Sequence, residues 1–171
     1  QLFGAIFVVG LALSAVGLWV GRDFRAVCLR LGLGGLGVRH VIIAAFGLAA
    51  VFGLNAGMEW IEREHFHALW LRDQDMVKLI AANMSTGLAV LLGVSAGVGE
   101  ELLVRGALQP RVGLVWASLL FAALHVQYTW FGMLTIALLG ILLGVVRIRA
   151  NTTTAILVHG LYDILAAMGS R

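Results

Sequence analysis

At 171 residues, 61% of them hydrophobic, 12% charged and only one a proline, the chain lies far from a soluble globular domain, and most of it must sit in lipid. Its formal charge of +3 comes from arginines spread between apolar runs, which argues against a nucleic-acid partner, and Cys28 has no second cysteine with which to form an internal disulfide. No stretch rich in Pro, Ser or charge separates two units, so one membrane domain is expected.

The chain starts at Gln1 without an initiator methionine and reads as a fragment or trimmed product. Its first apolar run, about 2–20, lacks a basic leader region and is too long for an ordinary signal-peptide core, so it reads as a spanning helix. Five further candidates follow at about 41–57, 78–105, 112–129, 131–146 and 152–168, giving an all-α, polytopic transmembrane bundle of about six spanning helices. Arg22, Arg25, Arg30 and Arg39 fill the first loop, Arg111 lies in the third, and Arg147 and Arg149 lie in the fifth. Alternate loops share a side, and the positive-inside rule makes that side the cytoplasm, with both ends of the chain outside.

Between the second and third spans, 59–77 mixes Trp60, Phe66 and Trp70 with charges, as expected of a short interfacial helix serving as lid or connector. His65 and His67 are two apart, about 200° around a helix, and cannot chelate one ion together. Glycines four apart at 17/21, 53/57, 93/97 and 140/144 read as helix-packing signals.

Carboxylates and histidines at bilayer depth call for a reason, and function is the usual one. Glu101 and Arg105 are four apart and can pair, whereas Glu100 points about 100° away without that partner and is the candidate general base. Phe121 and His125 share a stripe, as do His159 and Asp163, where a carboxylate one turn away can fix the histidine's tautomer. Counted along their helices, Glu100, His125 and His159 lie roughly 13, 20 and 11 Å from the cytoplasmic loop ends, which suggests one cavity open to that side.

The ordered set Glu100-Glu101-x-x-x-Arg105, Phe121-x-x-x-His125 and His159-x-x-x-Asp163, with the Leu-Leu-Gly-Ile-Leu-Leu-Gly run at 138–144 and Arg147, resembles the CPBP (Abi) family. That family includes type II CAAX prenyl endopeptidases and bacteriocin-processing or immunity proteins. The resemblance covers about 80–168, so 76–171 is expected to be the catalytic membrane core and 1–75 to hold the preceding helices and the interfacial segment. It implies an intramembrane endopeptidase in which Glu100 with His125 activates a water, His159 and Asp163 bind the oxyanion, and Glu101, Arg105 and Phe121 hold the site together. The partners it implies are membrane lipid and a peptide or protein substrate, prenylated or not, with no nucleic acid. Two positions depart from the family pattern: Asp163 stands where many relatives have Asn and is expected to orient His159, and Val104 stands at an often aromatic position.

Three other readings compete. Glu100, His125 and His159 are ligand types for zinc or a similar divalent ion. Gly93-Val94-Ser95-Ala96-Gly97 matches the nucleophile-elbow pattern of a serine protease of rhomboid type, although it falls inside a predicted helix. A non-catalytic immunity or interaction protein would use the same buried charges for packing. The arginine-rich, almost lysine-free composition points to a GC-rich bacterial source, hence a multi-pass protein of the inner (plasma) membrane.

Overall fold

The computed structural model describes residues 2–169, and among them every extended regular element is a helix. Helix α1 covers Leu2–Ala15 and α2 covers Phe24–Arg30, the latter started by Asp23, whose carboxylate accepts from the Ala26 amide at 2.7 Å. Helix α3, Val38–His65, breaks at Phe66, and α4 follows as His67–Ala81. Ser85 caps α5, Thr86–Glu101, by accepting from the Leu88 amide. The helix then widens into a π-helical stretch, Leu102–Leu108, and tightens again as α6, Gln109–Val112. Pro110, which denies the helix one N–H donor, stands directly after the wide stretch. Gly113, at φ 84°, turns the chain into α7, Leu114–Ala123. Thr129 starts α8, Trp130–Arg149, and Asn151 starts α9, Thr152–Gly169, by accepting from the Thr154 amide at 2.8 Å.

By length and apolarity, three of these helical stretches suffice to cross a membrane: Val38–His65, Thr86–Val112 and Trp130–Arg149. Helix α9 is long but carries His159, Tyr162 and Asp163, while α1 and α7 are shorter apolar helices. Phe46, Leu119, Leu120 and Leu134 face outward, as the lipid-facing surface of a bundle would.

Several expected elements have different bounds, among them the first apolar run, whose helix ends at Ala15, and the second, which spans Val38–His65. The single interfacial helix at 59–77 is instead the end of α3 and most of α4, and residues 78–81 belong to α4, so the third span starts at Thr86. The fourth span stops at Ala123, because 124–129 turns and is tied at Thr129 to Asp73, whose carboxylate accepts from the Thr129 amide at 2.7 Å and its hydroxyl at 2.8 Å.

The helix pair α5 and α9 forms the centre. A methyl group at Gly97 would lie 2.9 Å from the Gly160 nitrogen, and one at Gly93 would lie 2.6 Å from the Gly160 oxygen. The Gly140 and Gly144 pair likewise admits Ser118 and Leu114. Gly53 and Gly57 meet nothing within 4 Å, and Gly17 serves a turn at φ 91°, so two of the four glycine pairs are not packing seams within the chain.

The arginine-bearing loops gather at one end and are tied together there. Thr152 donates from its amide to the Gly32 carbonyl (2.9 Å) and from its hydroxyl to that of Leu31 (2.6 Å). Asn151 donates to Gly35, Arg39 to the Arg149 carbonyl, and Arg111 to that of Ala15.

Candidate active site

Glu101 and Arg105 are both wholly buried, and Oε2 of Glu101 lies 3.2 Å from Nε of Arg105. The guanidinium lies over the Phe121 ring, 5.3 Å from its centroid, and makes no hydrogen bond to another described residue. The other Glu101 oxygen reaches across to α9 and accepts from Nδ1 of His159 at 2.9 Å. One carboxylate therefore bridges a cation on its own helix and a histidine on the neighbouring one. Burial of both charges strengthens this attraction, and the pairing offsets the desolvation that each would otherwise suffer.

With Nδ1 held by Glu101, Nε2 of His159 faces Glu100 at 3.9 Å and Asp163 at 3.4 Å. Glu101 thus holds the ring at Nδ1, and Asp163 stands on its Nε2 side. The expected one-turn pairs of Glu101 with Arg105 and His159 with Asp163 are both present, and the contact between Glu101 and His159 is an additional one. Helical spacing reveals partners one turn away but not those on another helix.

On the far wall, His125 follows the C-terminal end of α7, with Nδ1 2.9 Å from the Phe121 carbonyl. A carbonyl only accepts, so Nδ1 carries the proton and Nε2 of the neutral ring is left as an acceptor. Phe121 packs edge-on against both histidines, with centroid distances of 4.8 Å to His125 and 6.1 Å to His159. Val104 lies with Phe121 and Ala117 in the small apolar cluster beneath the site.

Glu100, His125, His159 and Asp163 all line one cavity of about 710 Å³. Its lining continues through Tyr128 and Tyr162 to Glu59, Glu62, Asp73 and Gln74, which belong to the end of the bundle away from the arginine loops. No residue of the tied arginine-bearing loops lines it. The lining thus runs from the site toward that end, whereas depth counted along the sequence pointed to the arginine end. Depth along a helix does not say at which end neighbouring helices separate, and here α7 stops early and leaves the space above His125 open.

Among the described residues no group of three or more His, Cys, Asp or Glu is arranged to hold an ion. His65 and His67 pack against Trp60 and Trp70. Ser95 lies within α5 and donates its hydroxyl to the Leu92 carbonyl at 2.9 Å, without the strand-to-helix turn that exposes a nucleophilic serine.

A feature not visible in the sequence is the π-helical stretch that begins directly after Glu101 and contains Arg105. Such stretches are frequent at functional sites. The other is the pair Glu62 and Asp73, both buried and joined through the Thr129 hydroxyl at 3.4 and 2.8 Å. With Thr129 they come from three separate segments, so spacing carried no signal for them.

Residues 82–165 match the family described as type II CAAX prenyl endopeptidase, Rce1-like. The uncharacterized protein YpbD of Bacillus subtilis (strain 168) is 30% identical over 139 residues, covering 78% of this chain and 68% of that relative. No solved structure matches.

Proposed function

This chain belongs to the Rce1-like family of type II CAAX prenyl endopeptidases, and from that premise we propose that it is a multi-pass intramembrane endopeptidase that hydrolyses a peptide bond with a water activated by Glu100 and His125. It is an integral membrane protein of a CAAX-protease-type family, and we place it in a bacterial inner membrane. What carries the reading is the convergence in one cavity of Glu100, His125 and a His159 whose Nδ1 is fixed by a wholly buried carboxylate.

The free Nε2 of His125 accepts a hydrogen bond from the water, and Glu100 takes its proton as the oxygen attacks the scissile carbonyl carbon. His159, as imidazolium, donates from Nε2 to the oxyanion that forms, Asp163 accepting from that N–H beforehand. As the tetrahedral intermediate collapses, the C–N bond breaks and Glu100 returns its proton to the leaving amine. Glu101 and Arg105 do not touch the substrate; they hold His159 in place. The substrate is a peptide or protein.

Cleavage of a membrane-embedded reporter by the protein reconstituted in vesicles tests this. Positioned acid–base groups contribute on the order of 10²- to 10⁴-fold, so Glu100→Gln and His125→Ala should each reduce the rate by that order. If both variants, expressed at the normal level, retain the protein's effect, the peptidase reading fails.

A further inference from the structure

His125 does not stand on a helix. Helix α7 stops at Ala123, and the histidine sits in the turn 124–129 that leads into α8. On one side the turn is held by its own chain: the His125 amide donates to the Ala122 carbonyl at 2.9 Å, and the Tyr128 amide to that of His125 at 3.1 Å. Val126 and Gln127 in its middle are exposed. A segment with so few buried contacts opens at little cost, whereas a group that must meet a water together with Glu100 has to be held in place.

The second anchor comes from α4. Among the described residues of this helix Asp73 alone is buried, and its carboxylate grips the start of α8: Oδ1 accepts from the Thr129 amide at 2.7 Å and Oδ2 from the Thr129 hydroxyl at 2.8 Å. Burying a carboxylate is costly unless its oxygens are hydrogen-bonded, and here both are. Glu62, 3.4 Å from the same hydroxyl, is the more distant acceptor, and the hydroxyl has only one proton to give. The fold makes room for the grip. A methyl group at Gly132, the third residue of α8, would collide with Oδ2 of Asp73, so glycine there is what lets the carboxylate approach. The first turn of α8 also carries the unpaired amides and partial positive charge that a carboxylate complements. Phe66, at the break between α3 and α4, seats the same corner on α8 by packing against Trp130 and Phe131, with ring centroids 5.5 and 5.3 Å apart.

From these contacts we infer that Asp73 is a positioning residue for the reaction: through Thr129 it fixes the turn that holds His125 in the cavity wall. The docking of α4 is thereby linked to the readiness of the site. This rests on the peptidase reading, which gives His125 its part in the chemistry; Asp73 acts through Thr129 rather than on the water.

The test uses the full chain in detergent, isotopically labelled at the histidine ring nitrogens for NMR, beside reporter cleavage in vesicles. In the wild-type protein the His125 signals, identified by their loss in His125→Ala, should show one tautomer with the proton on Nδ1, as the Phe121 carbonyl demands. In Asp73→Ala the ring should leave that carbonyl, and its two nitrogen shifts should move toward each other as the tautomers exchange, while the His159 signals stay in place. Cleavage should fall on the order of 10²-fold, the cost of a misplacement of about 1 Å. Asp73→Asn keeps an acceptor for the Thr129 amide and offers a donor to its hydroxyl oxygen, so it should restore the single tautomer and most of the rate. Asp75→Ala, which removes a carboxylate paired with Lys78 on the exposed side of the same helix, should behave as wild type. Thr129→Val keeps the amide and loses the hydroxyl; it should shift the His125 signals the same way by less, and it decides the matter if Asp73→Ala does not fold. Unchanged His125 signals in the folded variant overturn the inference, and so does a loss of rate that Asp73→Asn fails to restore. If the wild-type protein cuts no reporter, the peptidase reading falls and the role in the reaction falls with it, while the His125 signals still decide whether Asp73 holds the turn.

Discussion

Replacing Glu101 by Gln separates holding the site together from doing its chemistry. The wild-type carboxylate has no solvent exposure, lies 3.2 Å from an equally buried Arg105, and accepts from His159 at 2.9 Å. Removing one partner of a buried ion pair leaves the other charge uncompensated, at about 3 to 5 kcal/mol. The charge-assisted hydrogen bond to His159, about 1.5 to 3 kcal/mol alone, shares the same carboxylate, so the two losses do not simply add. For a domain of this size, the fall in melting temperature should be on the order of 10 °C. The assay is the temperature at which half the protein in detergent is lost from the monodisperse peak, measured beside reporter cleavage. A companion variant, Glu101→Leu with Arg105→Met, removes both charges and should regain much of the stability, because apolar replacement of a buried pair is often neutral or better. It should not regain cleavage, since leucine offers Nδ1 of His159 no acceptor. The reasoning is refuted if Glu101→Gln melts within about 2 °C of wild type, or if the double variant recovers cleavage along with stability.

The remaining predictions concern packing and Ser95. Gly97→Ala should destabilise by about 1 to 3 kcal/mol, because its methyl group would meet the Gly160 backbone at 2.9 Å, whereas Gly57→Ala, with nothing within 4 Å, should melt like wild type. Equal melting of the two variants would remove the argument for a tight α5–α9 seam. Ser95→Ala should cleave at the wild-type rate, and the wild-type protein should take no label from a serine-directed fluorophosphonate; labelling that disappears in the variant would reinstate a serine mechanism.

Helical character, the apolar runs and the acid–histidine motifs were legible in the sequence, because each depends on composition or on the fixed 3.6-residue turn. Glu101 with Arg105, Phe121 with His125 and His159 with Asp163 are all one turn apart, and the structure brings each pair close. The tertiary structure alone decided what lies between helices. It joined Glu101 to His159, placed Glu100 beside His159, and joined Glu62 to Asp73 through Thr129. It also selected which glycines are seams, shortened α7, and turned the cavity away from the arginine loops. A one-turn spacing fixes neighbours on a single helix, whereas contacts between helices depend on how whole faces pack and where helix ends separate, which no local period records.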